Sequence, residues 1–469
     1  MKQFLTLLGA AALSACASLP GEPPVQALKP QTAFASTQAY AAPAGTWPSN
    51  DWWNVYGDAQ LDALIAEGLA ASPSVAVADA RLRRAQAFQS QSRAALMPQV
   101  SANASTTEQK QSYHYLSPPA MTPQDWNDYG RATLDFTWEI DFWGKNRAAL
   151  AAATNDAVAA SADADQARLV LSTAIASGYA ELARLYSALD TAKSARELRT
   201  KTAELFAKRF DNGLETKGSV RQADSRRASS EADVLALEEQ IALQGNKLAA
   251  LLGAGPDRAL TIARPAVNFT RAFSLPETLS AGLIGRRPDL VAARLRAEAA
   301  AKRIHVSRAQ FYPNVNLSAF IGVQALGVDM LKESGSDIGS VGPAISLPIF
   351  NGGRLRAQLR GAEAEYAESV ANYDKTLVQA LQEVADAAVS QKALAPQLEK
   401  IDAAVDAARE AWRVQNDRYN GGLATYLDVL TAEDYLLGNL RSQSDLRSRS
   451  MTLDVALNRA LGGGYQSNL

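Results

Sequence analysis

The side chains on which enzymes most often build acid–base or metal chemistry are scarce in this sequence. Its 469 residues hold two histidines, His114 and His305, and one cysteine, Cys16. Neither histidine has partners at the spacing of a metal site or of a nucleophile–base pair, and His305 falls in a stretch expected to be helical, where an ordinary polar contact accounts for it. Gly253-Ala254-Gly255 begins like a dinucleotide fingerprint, but the third glycine is missing and Pro256 follows at once. It reads as the end of a helix and not as a phosphate cradle. Arg81-Leu82-Arg83-Arg84 is most simply a solvated helix face. With 47 basic against 49 acidic residues and a net charge of −2, no global field draws in nucleic acid. No catalytic residue, cofactor or metal ligand is expected, and the chain is not expected to be an enzyme.

Cys16 invites a different chemistry, acylation. Lys2 precedes an apolar run from Phe4 to Ala12 and then Leu13-Ser14-Ala15-Cys16, the order of parts of a signal peptide and too short a run to span a bilayer. The small residues on either side of the cysteine resemble a bacterial lipobox. That resemblance makes 1–15 the signal peptide and Cys16 the lipidated first residue of the mature chain. Ala17 stands where an aspartate would, by similarity to enterobacterial lipoproteins, favour inner-membrane retention. The outer membrane is therefore the expected address. From 16 to 50, Pro20, Pro23, Pro24, Pro30, Pro43 and Pro48 exclude regular helix and favour an extended tether.

The elements that would position anything else come in duplicate. Arg209-Phe210-Asp211-Asn212-Gly213-Leu214-Glu215-Thr216 returns 209 positions later as Arg418-Tyr419-Asn420-Gly421-Gly422-Leu423-Ala424-Thr425. Each copy then closes on Leu-Gly, at Leu252-Gly253 and Leu461-Gly462. Upstream, Ser72-Pro73-Ser74-Val75 matches Arg287-Pro288-Asp289-Leu290, and Met97-Pro98-Gln99-Val100 matches Tyr312-Pro313-Asn314-Val315. Two long copies of one unit imply a pseudo-symmetric architecture.

Trp52-Trp53 and the spacing Leu61, Leu64, Ile65, Leu69 predict a short amphipathic helix, and a second helix runs from Pro73 to about Leu96, stopped by Pro98. Beyond Pro98 the period becomes two. Arg131, Thr133, Asp135, Thr137, Glu139 and Asp141 alternate with Ala132, Leu134, Phe136, Trp138, Ile140 and Phe142. In the second copy Val315, Leu317, Ala319, Ile321 and Val323 share one face, as do Val341, Ile345, Leu347 and Ile349 of the next strand. A soluble sandwich alternates in the same way. Two such hairpins, with Trp138, Phe142 and Trp143 crowded at one end, favour membrane-spanning strands with an aromatic girdle. Four strands cannot close a transmembrane barrel, since the smallest have about eight, so oligomerisation is expected.

After each hairpin comes a long helical stretch. Lys145 to Phe210 is rich in strong helix formers and would reach roughly 100 Å. Leu171, Ile175, Gly178, Leu182, Leu185, Leu189 and Ala192 form a coiled-coil seam along it. Asp211-Asn212-Gly213 turns the chain, and Val220 to Leu252 returns. The second copy runs from Arg354 to Asn420, turns at Gly421-Gly422 and returns from Leu427 to Leu461, with Pro396 expected to interrupt and kink its outgoing helix. The segments are then 51–97 helices of repeat 1, 98–143 hairpin 1, 144–253 helical hairpin 1, 254–287 linker, 288–312 helix of repeat 2, 313–350 hairpin 2, 351–462 helical hairpin 2 and 463–469 tail. The fold class is mainly α with transmembrane β.

Hairpin, long helix, Gly-Leu turn and returning helix, in duplicate, resemble the TolC/OprM family of outer-membrane channels, in particular its lipoprotein branch in multidrug efflux. The resemblance covers almost the whole mature chain. It rests on Asp51-Trp52-Trp53 with Gly57-Asp58 and Leu61, Arg286-Arg287-Pro288-Asp289-Leu290, Phe311-Tyr312-Pro313, Leu347-Pro348-Ile349-Phe350-Asn351-Gly352-Gly353, and Tyr419 with Gly422-Leu423. It implies a homotrimer with a twelve-stranded barrel above a twelve-helix periplasmic tunnel. That assembly would be lipid-anchored and would work with a periplasmic adaptor (membrane fusion) protein and an inner-membrane transporter. It also implies that the tips Gly213, Leu214, Gly422 and Leu423 meet the adaptor, and that Asp428, with Tyr419 and Thr431, marks the periplasmic aperture. Departures accompany it: Thr431 holds a second aspartate position of the family, Ala424 an arginine position, and Ser219 is the first-repeat counterpart of Asp428. Glu433 and Asp434 are the next aperture candidates. The leading expectation is a passive exit duct. A duct for type I protein secretion or metal efflux, and a periplasmic coiled-coil scaffold without a pore, are the alternatives.

Overall fold

A computed structural model describes residues 27–30, 33–34, 42–114, 118–266, 274–276, 283 and 285–467. The expected signal peptide, Cys16 and most of the proline-rich tether lie outside these residues. The chain divides into two compact units, one built around Leu82–Ala160 with Ala293–Tyr373, the other from Lys29–Arg81, Ser161–Ala292 and Asp374–Leu469.

The first unit carries the sheet. Strands β1 (Gln99–Lys110), β2 (Trp126–Ile140), β3 (Asn314–Leu326) and β4 (Asp337–Ser346) form an antiparallel meander in that order. The two hairpins are stitched together by β2 and β3, with Leu134 opposite Ile321 and Trp138 opposite Leu317. Successive side chains point to opposite faces, so the apolar set shares one face and the polar set the other. On the polar face Asp135 Oδ2 accepts from Asn103 Nδ2 and from Thr133 Oγ1, each at 2.8 Å. The apolar face is bare: Ile321, Val341 and Ile345 are all exposed. Among the described residues β1 pairs only with β2, and β4 only with β3, which leaves both sheet edges open there.

Two strand ends differ from the alternation. Asp141, expected on the charged face of β2, lies beyond its end at Ile140; its carboxylate accepts from the backbone N–H groups of Asn146 (3.2 Å) and Arg147 (2.8 Å). Those are orphan donors of the next helix, whose positive end a carboxylate satisfies. Strand β4 stops at Ser346, so Leu347 and Ile349 are outside it. Pro348 between them has no N–H to extend a ladder.

Seven long α-helices stand out among the described residues. They are α1 (Ala59–Ala71), α2 (Pro73–Ala94), α3 (Lys145–Asp211), α4 (Lys217–Leu251), α5 (Pro288–Ala309), α6 (Arg354–Asn420) and α7 (Tyr426–Ala460). The long outgoing helices are both 67 residues and the returning ones both 35. Asp58 starts α1 by accepting from Gln60 N and Leu61 N. Leu61, Leu64 and Ile65 then pack into the second unit's core with Leu171, Ile175 and Tyr179 of α3, Leu248 of α4 and Val455 of α7. The seam is buried as its spacing requires, at Leu171, Ile175, Leu182, Leu185, Leu189 and Ala192. Gly178 belongs to it for lack of a side chain: a Cβ there would sit 2.9 Å from Leu248 Cδ2, so the glycine sets how closely α3 and α4 approach. Helix α6 runs through Pro396 without a break, contrary to the expected interruption. The lost hydrogen bond and ring clash cost ~3 kcal/mol, and burial of Leu394 and Val405 on either side holds the helix in place.

Candidate functional site

The aperture and tip residues all fall at the turns of the two helical hairpins. Both turns have one backbone design. After α3, Gly213 N donates to Phe210 O (2.9 Å) and Leu214 N to Arg209 O (2.8 Å); after α6, Gly422 N donates to Tyr419 O (3.0 Å) and Leu423 N to Arg418 O (2.8 Å). This double closure needs a left-handed residue where φ is +72° at Gly213 and +75° at Gly422. In such a motif the residue after the glycine commonly packs back on the helix it ends. Here it does not. Leu214 is 66% exposed and Leu423 73%, two apolar knobs presented outward.

Threonine restarts each hairpin. Thr216 Oγ1 accepts from Ser219 N at 3.2 Å to cap α4. At α7 the cap is reciprocal: Thr425 accepts from Asp428 N, while Asp428 Oδ2 accepts from Thr425 N (2.8 Å) and Thr425 Oγ1 (2.7 Å). Those two donors, the hydroxyl first, hold the Asp428 carboxyl below the usual carboxylate range. Asp428 is therefore an exposed anion fixed to the helix start. Thr431 lies one turn on, also exposed, with its hydroxyl donating to Leu427 O at 2.7 Å.

Tyr419 faces inward. It is buried in a cluster with Phe206 of α3, Ala223 of α4 and Val429 of α7, a packing to which all four long helices contribute. Its ring lies parallel to Phe206 at 6.2 Å, Arg209 stands 4.9 Å over it, and its hydroxyl donates to Glu215 Oε1 at 3.0 Å. Burial, and then that bond to a carboxylate, push its pKa up to about 12. Ala424 packs against the same cluster, so a long cation at this position would have to leave it.

One turn further along α7 the second-choice acids prove the more connected. Glu433 is 1% exposed and meets Arg199 of α3, Nε to Oε1 at 3.4 Å. Asp434 takes the other side of Arg199 (3.3 Å) and Arg226 of α4 (2.9 Å). Burial pushes the Glu433 carboxyl above its ordinary range, against the pull of Arg199. Two arginines from the first hairpin thus hold two acids of the second. The sequence pointed to neither arginine, because the partners stand 234 and 208 positions apart. The Thr425–Asp428 cap, by contrast, is a local threonine-x-x-acid signal that a search for helix starts finds.

The comparisons agree with this frame. The family described as outer membrane efflux protein matches residues 64–254 and 279–463. The fusaric acid resistance protein FusA of Burkholderia cepacia is 38% identical over 360 residues, 75% of this chain and 67% of its own. The multidrug resistance outer membrane protein MdtP of Shigella flexneri is 31% identical over 451 residues, 95% of this chain and 92% of its own. Among solved structures, the outer membrane protein VceC of Vibrio cholerae has a TM-score of 0.85 at 52% identity, covering 90% of this chain and 100% of that one. The outer-membrane channel OprN has a TM-score of 0.84 at 27% identity, covering 94% of this chain and 97% of that one. With the two matched segments spanning most of its length, this chain belongs to the outer membrane efflux protein family, and its place is the outer membrane.

Proposed function

We propose that this protein is the passive outer-membrane exit duct of a tripartite efflux pump, energised by an inner-membrane transporter and reached through a periplasmic adaptor. The observation that carries the reading is the four-stranded sheet with both edges open and one face bare apolar. In lipid every backbone N–H and C=O must be paired, so a spanning sheet has to close on other copies of itself. Three copies give the twelve strands that suit a barrel and align twelve long helices below it. The exposed Leu214 and Leu423 are the contacts offered to the adaptor. Asp428, held ionised beside the tip, supplies a ring of three carboxylates that binds cations and narrows the resting pore. The names of FusA and MdtP support small organic molecules as cargo. Cys16 carries the lipid anchor, which adds to the hold of the barrel on the membrane.

The test is the mass of the particle and its conductance. Detergent-purified protein should be a stable trimer and give discrete single-channel currents in planar bilayers. A monodisperse monomer with intact β signal, or a trimer without conductance, rules the duct out and favours a scaffold.

A further inference from the structure

The long helices of the two repeats pack on each other in one combination, and the duplication shows where the converse combination is missing. Helices α3 and α6, and likewise α4 and α7, begin and end 209 residues apart, so each position has one counterpart. Within the second unit the outgoing helix of the first copy, α3, runs antiparallel to the returning helix of the second, α7. The hydroxyls of Ser187 and Ser444 meet at 2.8 Å, with Arg184 on Asp445 at 3.0 Å to one side and Arg199 on Glu433 at 3.4 Å to the other. These contacts fix a register. At the spacing of a helical seam, Leu437, Ser444 and Met451 of α7 are buried.

The converse combination is α6 with α4. On α4 the counterparts of that buried stripe are Ala228, Leu235 and Ala242, all exposed, Leu235 to 66%. On α6 the counterparts of Ser187 and of the buried Ala180 are Pro396 and Val389, both exposed, Val389 to 62%. The chain therefore leaves bare the two faces that its own repeat covers elsewhere. Laid in the register of Ser187 and Ser444, Leu235 falls opposite Pro396, Ala242 opposite Val389 and Ala228 opposite Ala403. The same register sets Glu239 opposite Lys392 and Glu231 opposite Lys400. Glu239 and Lys392 have no ion pair among the described residues, and the pairs of Glu231 and Lys400 are local ones on their own helices, with Arg227 at 3.9 Å and Glu399 at 2.8 Å. The repeat alone does not account for these charges, because their counterparts are Ser448 with Ala183 and Leu440 with Thr191.

We propose that the bare face of α4 receives α6 of a second copy of this chain, in the register of the α3–α7 contact. Leu235 then packs on Pro396 of the second copy, between ion pairs of Glu239 with Lys392 and of Glu231 with Lys400. Such a contact is head-to-tail, and it closes a ring when its rotation divides the circle. The proposal rests on the oligomeric reading of the open-edged sheet and adds the partner face on the helices. Contacts of two kinds alternate around such a ring. Within a chain arginine–acid pairs and buried hydroxyls join the repeats, and between chains an apolar stripe does so, with flanking charges that set its register.

The experiment uses the full-length protein in detergent, with the particle mass recorded on each sample. Leu235→Cys with Pro396→Cys, treated with a mild oxidant, should give covalently linked trimers on a non-reducing gel, and so should Ala242→Cys with Val389→Cys. Each single variant should give none, which also controls for Cys16, the one natural cysteine. Leu235→Cys with Ala403→Cys is shifted by seven residues, about 10 Å along the helix, beyond the reach of a disulfide, and should stay unlinked. Glu239→Lys should lower the temperature at which the trimer dissociates, and adding Lys392→Glu should restore it. A trimer in which neither matched pair links, or in which the shifted pair links equally, overturns the proposal while the duct reading stands, and leaves the face to another protein. A disulfide closed within a single chain overturns it too, as does a charge reversal without rescue. A monomeric particle overturns the duct reading and the proposal together. Should one matched pair fail to assemble, the other decides.

Discussion

Removing Arg199 tests whether the two helical hairpins are held together by charge. Glu433 is buried, and Arg199 is the cation that meets it directly. In the Arg199→Met protein the carboxylate has lost that partner in a place water barely reaches, and protonation becomes cheaper than remaining charged. The cost of protonation sets the ceiling on the damage. From the ordinary value of 4.5, keeping a carboxyl neutral at pH 7 costs at most about 3.4 kcal/mol, and at pH 5 about 0.7 kcal/mol. The wild-type sign is the same but smaller: burial raises the folded pKa, so the native state binds this proton more readily than the unfolded chain. Stability from this group is greatest below 4.5 and is lost as pH rises through the folded value.

The expected readout is local opening of α7 against α3, followed by amide hydrogen exchange across residues 426–440 and 195–210 in the assembled protein. Protection should fall by up to roughly three-hundredfold at pH 7 and only about threefold at pH 5. Replacing both partners, Arg199→Met with Glu433→Leu, should recover most of the protection, because no charge is left stranded. Asp434 keeps Arg226 in either case. A loss that is equal at both pH values, or a double variant as open as the single, refutes the argument.

Other outcomes follow from the same geometry. Asp428→Ala removes the carboxylate half of the reciprocal cap together with the charge, so the first turn of α7 should lose about 1 kcal/mol of protection by hydrogen exchange and block by trivalent cations should weaken. Asp428→Asn should weaken the block equally while keeping more of the cap, and undiminished block in both proteins places the constriction elsewhere. Leu214→Asn with Leu423→Asn should leave the oligomeric state and the melting temperature unchanged, these side chains being exposed, yet abolish resistance to a pump substrate in cells; intact resistance ends the proposed docking role. Cys16→Ala should lose incorporated palmitate but stay in the outer-membrane fraction, because a spanning barrel needs no lipid help; release of folded protein into the soluble periplasm would show that the strands do not span.

Period and turn chemistry made the frame legible. The seam residues from Leu171 to Ala192 are buried where a helical repeat places them, and Gly213 and Gly422 take the positive φ that ends a long helix. What escaped the sequence is what depends on distant partners. Alternation along 131–142 predicts a strand but not that β2 lies beside β3, because period two is the same for any neighbour. It also carries Asp141 one step too far, since a charge past the strand end looks like one more outward residue until the helix it caps is seen. Pro396 shows the reverse failure, a local rule overruled by the packing of a 67-residue helix.

The duplication itself separates scaffold from function, because each copy serves as the control for the other. At the turns the backbone is shared, down to the same pair of closing hydrogen bonds, so it answers only the need to reverse the chain. The side chains that differ are those that couple the hairpins. Phe210 is 43% exposed where its counterpart Tyr419 is buried, and only the tyrosine has a hydroxyl for Glu215. The counterpart of Glu215 is Ala424, so the reciprocal tie cannot form, and the contact runs one way, from the second hairpin to the first. Ser219 brings no charge to the Thr216 cap of α4, where Asp428 completes the Thr425 cap of α7 with a carboxylate. Arg199 and Arg226 lie in the first hairpin and the acids they hold in the second. A symmetric chain would close its tips symmetrically. This one puts the fixed anion Asp428 and the buried carboxylate Glu433 on α7, so the charged ties between the hairpins run from α7 to α3 and α4.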